Sequence, residues 1–200
     1  MRKVENICYP RSGHRILCNL LQGYFGDEIK FGTIYGSNKK TFEANPEIDY
    51  LKNHDLALST VLKNDRWYMV QFRDPVEAII SYYKLDIAMK GIPDSKQEWE
   101  RFAINAFEYW KKFKHKWVKS PIKQRYICHY ANLIEDPFKE LHEVAKFVSG
   151  KDGEDGDHID VNKIREVLKE IEVKRLNNVE SFQHYDQTFI DRIFSHENDQ

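Results

Sequence analysis

Within Tyr9-Pro10-Arg11-Ser12-Gly13-His14-Arg15 the chain sets two arginines and a histidine around one glycine. A strand-like run, 4–9, leads into this stretch, and an apolar run with helical spacing (Ile16, Leu17, Leu20, Leu21) leaves it. Strand, tight turn and helix start, in that order, make an anion site. The turn exposes backbone N–H groups, and the helix directs its partly positive N-terminus at the ligand. Arg11 and Arg15 add charge-assisted hydrogen bonds to phosphate or sulfate oxygens. The same residues argue against two related chemistries. A Walker loop ends in Gly-Lys-Ser/Thr, the lysine for the phosphates and the hydroxyl for magnesium, whereas Gly13 is followed by His14 and Arg15. A cysteine-phosphatase loop fails in register by one residue between Cys8 and Arg15.

Two more polar clusters stand where strand-like runs end: Lys52-Asn53-His54-Asp55, and Arg73-Asp74 at the end of the aromatic and branched run 66–73. That run predicts a buried strand. Asp74, Pro75 and Glu77 supply an N-cap, a first helical residue and a capping-box partner for a helix to about Lys90. Gly91 to Asp94 breaks it. From Ser95 to about Lys119 the spacing predicts a long amphipathic helix with Trp99, Phe102, Ala103, Ala106, Phe107, Trp110, Phe113 and Trp117 on one face. Its lysine-rich end reads either as a solvated face that complements the helix dipole or as a steering patch for an anion. A third strand is expected over 125–130, with a polar exit at 132–136 and a helix from Pro137 to about Ser149. The acidic glycine stretch 150–157 reads as an exposed turn, because it lacks the ligand alternation of a calcium loop. Helices are expected over 161–174 and 187–194, and no firm element over 27–46.

Strands alternating with helices predict an α/β fold with a mainly parallel central sheet flanked by helices. Ligands of such sheets bind beyond the C-terminal strand ends, so the three polar clusters converge if the strands run parallel. Two hundred residues suit a single domain, 1–200, with its motifs in 4–149 and a helical C-terminal part, 150–200. With 31 Lys and Arg against 32 Asp and Glu, no excess of charge points to nucleic acid or an acidic membrane. Cys8, Cys18 and Cys128 lack metal-ligand spacing and read as reduced thiols. No signal sequence or membrane span is evident, which gives a cytoplasmic expectation.

Taken in order, Tyr-Pro-Arg-Ser-Gly, Lys-Asn-His-Asp, Arg-Asp-Pro-Val-Glu-Ala-Ile-Ile-Ser-Tyr-Tyr, and Tyr130 through Glu135-Asp136-Pro137 resemble the sulfotransferases. The resemblance covers roughly residues 4–149. It implies a P-loop-like nucleotide-binding sulfotransferase fold and the donor 3′-phosphoadenosine 5′-phosphosulfate (PAPS), with adenosine 3′,5′-bisphosphate as product and no metal required. The family's phosphosulfate loop, Pro-Lys-Ser-Gly-Thr-Thr-Trp, falls on Pro10, Arg11, Ser12, Gly13, His14, Arg15 and Ile16. Arg11 stands for the family lysine, His14 and Arg15 for its threonines, and Ile16 for its adenine-stacking tryptophan. The 3′-phosphate pair falls on Arg73 and Ser81, and a tyrosine near the adenine on Tyr130. The base falls on His54, with Lys52 two residues before it. The family's C-terminal 3′-phosphate clamp has no clear counterpart, Lys174-Arg175 and 182–185 being weak substitutes.

The resemblance thus implies in-line sulfuryl transfer to a hydroxyl or amine of a small-molecule or glycan acceptor, with His54 as general base. Arg11, Arg15 and the loop amides stabilise the leaving phosphate, and Lys52 balances charge on the transferring group. Asp55 either orients His54 or caps a helix. Loop 27–46, the break at 91–95 and the C-terminal segment are expected to shape the acceptor site. The rival readings are a magnesium-dependent, kinase-like phosphotransferase and a non-catalytic nucleotide-binding protein.

Overall fold

Val4–Cys8 forms the central strand β1, buried along its whole length. The computed structural model describes residues 1–35, 41–63, 65–150, 159–174, 179 and 181–194. The acidic stretch 151–157, Arg175 and the glycine and asparagine of 36–38 lie outside the described residues. After β1 come α1 (His14–Phe25), a single 3₁₀ turn (Gly26–Glu28), β2 (Phe31–Thr33), β3 (Tyr50–Asn53) and β4 (Trp67–Phe72). Then follow α2 (Pro75–Lys90), α3 (Lys96–Phe113), a π-helical turn (Lys114–Lys119), β5 (Arg125–His129), α4 (Tyr130–Glu135), α5 (Pro137–Ser149), α6 (Val161–Glu170) and α7 (Gln187–Phe194).

The five strands pair in the order β2-β3-β1-β4-β5, and every neighbouring pair is parallel. Such a sheet is buried on both faces. One face carries Leu17, Leu20 and Leu21 of α1, Leu141 and Val144 of α5, and Ile164 and Val167 of α6. The other carries Ile79, Ile80 and Tyr83 of α2, Trp99, Phe107, Trp110 and Phe113 of α3, and Phe189 and Ile190 of α7. The last two helices therefore extend the two cores that the first 150 residues build.

β1 and β4 lie side by side, yet the helices that follow them pack on opposite faces. Their C-terminal ends frame a crevice of the kind that binds ligands in open α/β sheets. Asp74 accepts hydrogen bonds from the Val76 and Glu77 amides and Pro75 opens α2, as the sequence predicts. Glu77 does not close a capping box: its carboxylate takes Nε and Nη2 of Arg73, at 3.0 and 2.9 Å.

Three other expectations are corrected. The segment 27–46 contains a strand, β2, which is only three residues long and, among the described residues, pairs solely with β3, so no periodicity could reveal it. The polar exit expected over 132–136 is mostly helical: 132–135 belong to α4, Asp136 stands between α4 and α5, and the start of α4 is capped by His129 Nδ1 accepting from the Ala131 amide at 3.3 Å. The helix over 161–174 ends at Glu170, with Ile171 extended at its C-cap.

Candidate active site

The turn after β1 is built on two left-handed residues, Arg11 at φ 67° and Gly13 at φ 84°. Glycine is required at 13 for a second reason: a Cβ there would stand 2.7 Å from Cδ2 of Tyr130. The Ser12 amide donates to the Tyr9 carbonyl at 3.2 Å and closes the turn. The Ser12 side chain is buried with no hydrogen-bond partner, so the structure does not bring it to the surface facing a ligand. Arg11 and Arg15, by contrast, are both exposed.

Beyond the sheet edge these residues line a cleft of about 630 Å³. Arg11, Gly13, His14, Arg15 and Ile16 form its floor, Lys52 and His54 one wall, and Arg73, Ser81 and Tyr130 the other. The three polar clusters therefore meet at one place. Four cations, Arg11, Arg15, Lys52 and Arg73, line the cleft, and among the described residues no carboxylate does. Asn19, Leu56, Tyr82 and Leu85 complete it. Sequence reasoning missed these four, whose types carry no signal of a site.

The crevice between β1 and β4 is braced across its width. Arg11 Nε donates to Ser81 Oγ at 2.9 Å. Nη1 of Arg73 donates to the Arg11 carbonyl at 3.1 Å, and its guanidinium lies 4.0 Å from the ring centroid of Tyr130. Arg73 is buried and paired with Glu77. It thus fixes the anion loop as well as facing the cleft.

His54 follows β3 and is held on three sides. Its Nδ1 lies 2.7 Å from the Cys8 carbonyl oxygen and 3.2 Å from Cys8 Sγ. Its amide donates to the Tyr35 hydroxyl, and its carbonyl accepts from the Tyr109 hydroxyl at 2.6 Å. Because a carbonyl can only accept, a neutral ring carries its proton on Nδ1 and its lone pair on Nε2. Burial pushes the imidazole down to about 4, and Lys52 adds to the effect against the Cys8 hydrogen bond. His14 is lowered further, to about 3, by burial and by Lys52 and His54. Both rings are neutral at physiological pH.

Asp55 neither orients His54 nor caps a helix. It is buried, at φ 47°, and its carboxylate accepts from Lys116 Nζ at 2.8 Å, Trp117 Nε1 at 2.9 Å and the Thr60 amide at 2.8 Å. Lys116 is therefore no part of a solvated face. The Cys8 and Cys18 thiols are pushed up to about 12 by burial, which makes them poor nucleophiles. Among the described residues no three His, Cys, Asp or Glu side chains gather as metal ligands, and no helix is long and apolar enough to cross a membrane. A multiply charged anion with an apolar base fits this cleft: cations at the loop, with Ile16 and Tyr130 beside them. The arrangement can bind such an anion and, through Nε2 of His54, accept a proton.

The sulfotransferase domain family matches residues 31–195. No curated protein matches the chain by sequence. Among solved structures the chain is similar to mouse sulfotransferase SULT7A1 complexed with PAP, with a TM-score of 0.63 and 12% identity over 98% of this chain and 82% of that one. It is similar to sulfotransferase STF9 from Mycobacterium avium, with a TM-score of 0.54 and 17% identity over 79% of this chain and 43% of that one. It is similar also to the sulfotransferase domain of the Synechococcus PCC 7002 olefin synthase, with a TM-score of 0.51 and 16% identity over 98% and 88%.

Proposed function

The chain belongs to the sulfotransferase domain family, and from that premise we propose that it transfers a sulfuryl group from PAPS to an acceptor hydroxyl, with His54 as general base. The observation that carries this reading is the convergence of Arg11, Arg15, Lys52 and Arg73 with His54 around one cleft with no carboxylate among its described lining residues. A single domain spanning the chain does the work. Arg11, Arg15 and the loop amides from Gly13 onward hold the 5′ phosphosulfate, while Arg73 and Ser81 hold the 3′-phosphate and Tyr130 and Ile16 flank the adenine. The PAP named with the mouse relative supports this choice of nucleotide.

When bound, the donor supplies a sulfuryl group on a phosphate leaving group, so that the acceptor oxygen–sulfur bond forms as the sulfur–phosphate oxygen bond breaks. His54 Nε2 takes the acceptor's proton and later releases it to water. Its Nδ1–H stays on the Cys8 carbonyl throughout, which keeps the ring in the reactive tautomer. Arg11 stabilises the charge growing on the phosphate oxygen, and Lys52 the sulfuryl oxygens. These cations stand in for the magnesium that phosphoryl transfer employs.

Thermal unfolding with adenosine 3′,5′-bisphosphate and with ATP, each with and without magnesium, tests the donor. At about a hundred times its Kd a ligand adds about 2.7 kcal/mol, roughly 5–10 °C for a domain of this size. A shift with the bisphosphate and no magnesium is expected. A shift only with ATP and magnesium replaces the reading with a phosphotransferase. His54→Ala then tests the base. Transfer should drop by about 10²–10⁴-fold with bisphosphate affinity retained, and survival of turnover removes the assignment.

A further inference from the structure

The cleft has a second arm. Between the start of α1 and the edge strand β2 with its neighbour β3 lies a recess of about 320 Å³, lined by Cys18, Phe31, Gly32, Thr33 and Tyr50, with His14 and Lys52 at its neck. Those last two side chains also line the cationic cleft, so the two spaces meet at them.

The walls of the recess offer a ligand few polar groups. Phe31 and Tyr50 stand edge to face, with ring centroids 5.5 Å apart. The Tyr50 hydroxyl is occupied by Asn6 Nδ2, and Thr33 Oγ1 accepts from the Tyr35 amide at 3.3 Å. Cys18 Sγ lies 3.4 Å from His14 Nε2, a neutral thiol against a neutral ring. The Tyr50 and Thr33 hydroxyls each accept and so keep their own O–H to donate; the cationic and imidazole groups left for a ligand are at the neck. Among the described residues Lys52 has no ion pair, and the His14 ring faces both spaces. A sugar carries hydroxyls on every side, and those turned to such walls would lose their water partners with few replacements. A flat or aliphatic body with one hydroxyl loses nothing there, and the volume is at the small end of ligand sites.

We propose that this recess holds the acceptor, and that the acceptor is a compact apolar molecule with a single hydroxyl, its body against Phe31 and Tyr50 and its hydroxyl at the neck between His14 and Lys52. This assignment rests on the sulfuryl-transfer reading above. It places the acceptor oxygen beside His14 and Lys52, which line the cationic cleft together with His54 and the anion loop, and the bonds made and broken are those of that reaction. β2, the strand hidden in loop 27–46, then sets acceptor specificity.

The test separates recess from donor by measuring binding without turnover. 2-Naphthol is titrated by its fluorescence into protein saturated with adenosine 3′,5′-bisphosphate, and methyl glucoside is tried as competitor. Wild type should bind 2-naphthol, and methyl glucoside should not displace it. Cys18→Phe, which fills the recess from α1, should weaken 2-naphthol by roughly tenfold or more with bisphosphate affinity unchanged. Thr33→Leu fills it from β2 and serves if circular dichroism shows Cys18→Phe unfolded. Undiminished 2-naphthol affinity in a folded filling variant, or displacement by methyl glucoside, overturns the proposal. If wild type fails to bind the bisphosphate, the donor reading falls instead, and the 2-naphthol comparison, made without nucleotide, still judges the recess.

Discussion

At the scale of single residues the site depends on groups whose protonation is fixed by burial. An ordinary histidine titrates near 6.5, and a base with that value loses activity below neutrality. His54, lowered to about 4 by burial, stays neutral well below that. The acid limb of kcat/KM, which reports the free enzyme, should therefore fall below pH 5 and not near 6.5. A limb centred at 6.5 would show that the ring is solvated in the working enzyme. On the proposed mechanism the low value makes His54 a weaker base, an effect that the negative charge of a bound donor would offset by favouring the imidazolium. Gly13 makes a second test. Alanine there meets both a positive φ and the Tyr130 ring at 2.7 Å, so Gly13→Ala should distort the turn and weaken bisphosphate binding more than Arg15→Ala does. Calorimetric titration of both variants decides it. The loop arginines were legible from their place at a glycine turn between strand and helix, and His54 from a polar cluster at a strand end together with the family resemblance. The sequence could not display the Cys8 carbonyl that sets the tautomer, since every residue has a carbonyl. Nor could it mark Tyr35 and Tyr109, whose hydroxyls hold the His54 backbone from loop and helix.

At the scale of elements, the segment after His54 is pinned by the end of the long helix. The π-helical turn 114–119 directs Lys116 Nζ to the carbonyls of Leu58 and Thr60, at 2.8 and 2.7 Å, as well as to Asp55. Trp117 supplies the other hydrogen bond to that carboxylate. Asp55 and Leu58 are both held at positive φ, at 47° and 51°, a strain that such bonds must offset. Lys116→Met leaves the buried Asp55 charge without its cation, a change that costs about 3–5 kcal/mol when such pairs are broken. Urea unfolding should show that loss. If the clamp also positions His54, kcat falls in the surviving folded fraction while bisphosphate affinity holds. Equal kcat per folded molecule would make the clamp purely structural. In sequence this lysine was one of a run read either as a solvated face or as a steering patch; in the structure Lys112 and Lys119 are exposed and Lys111 pairs with Glu108 along the helix, while Lys116 turns inward. Helices with a cap and a proline, α2 and α5, were legible to the residue, because their start signals are local. β2 and α4 were not, being short and dependent on neighbours: β2 pairs with β3, and α4 packs its Tyr130 beneath Gly13.

At the scale of the whole molecule, the parallel order was readable from the alternation of strands and helices, and with it the meeting of the polar clusters at one sheet edge. What alternation could not give is the depth at which that edge lies. Two imidazoles sit there neutral, His14 lowered to about 3 and His54 to about 4, against about 6.5 in the unfolded chain. Between those values the unfolded state binds protons that the native state refuses, so stability rises with pH across the interval. The contribution is complete above pH 6.5. It is lost progressively as pH falls, through about 4 for His54 and about 3 for His14. Glu43, held down to about 2 by Lys63 and Arg66, adds to the same acid loss only below the ordinary carboxylate range. The midpoint of thermal unfolding should therefore drop from pH 7 to pH 5, before surface carboxylates titrate. His14→Asn/His54→Asn should drop less over the same interval, because it has removed the groups that charge on unfolding. A parallel fall in variant and wild type would place the acid sensitivity elsewhere in the fold and show these rings to be solvated. The residues proposed to make the cleft reactive would then not be the ones that limit the molecule's stability in acid.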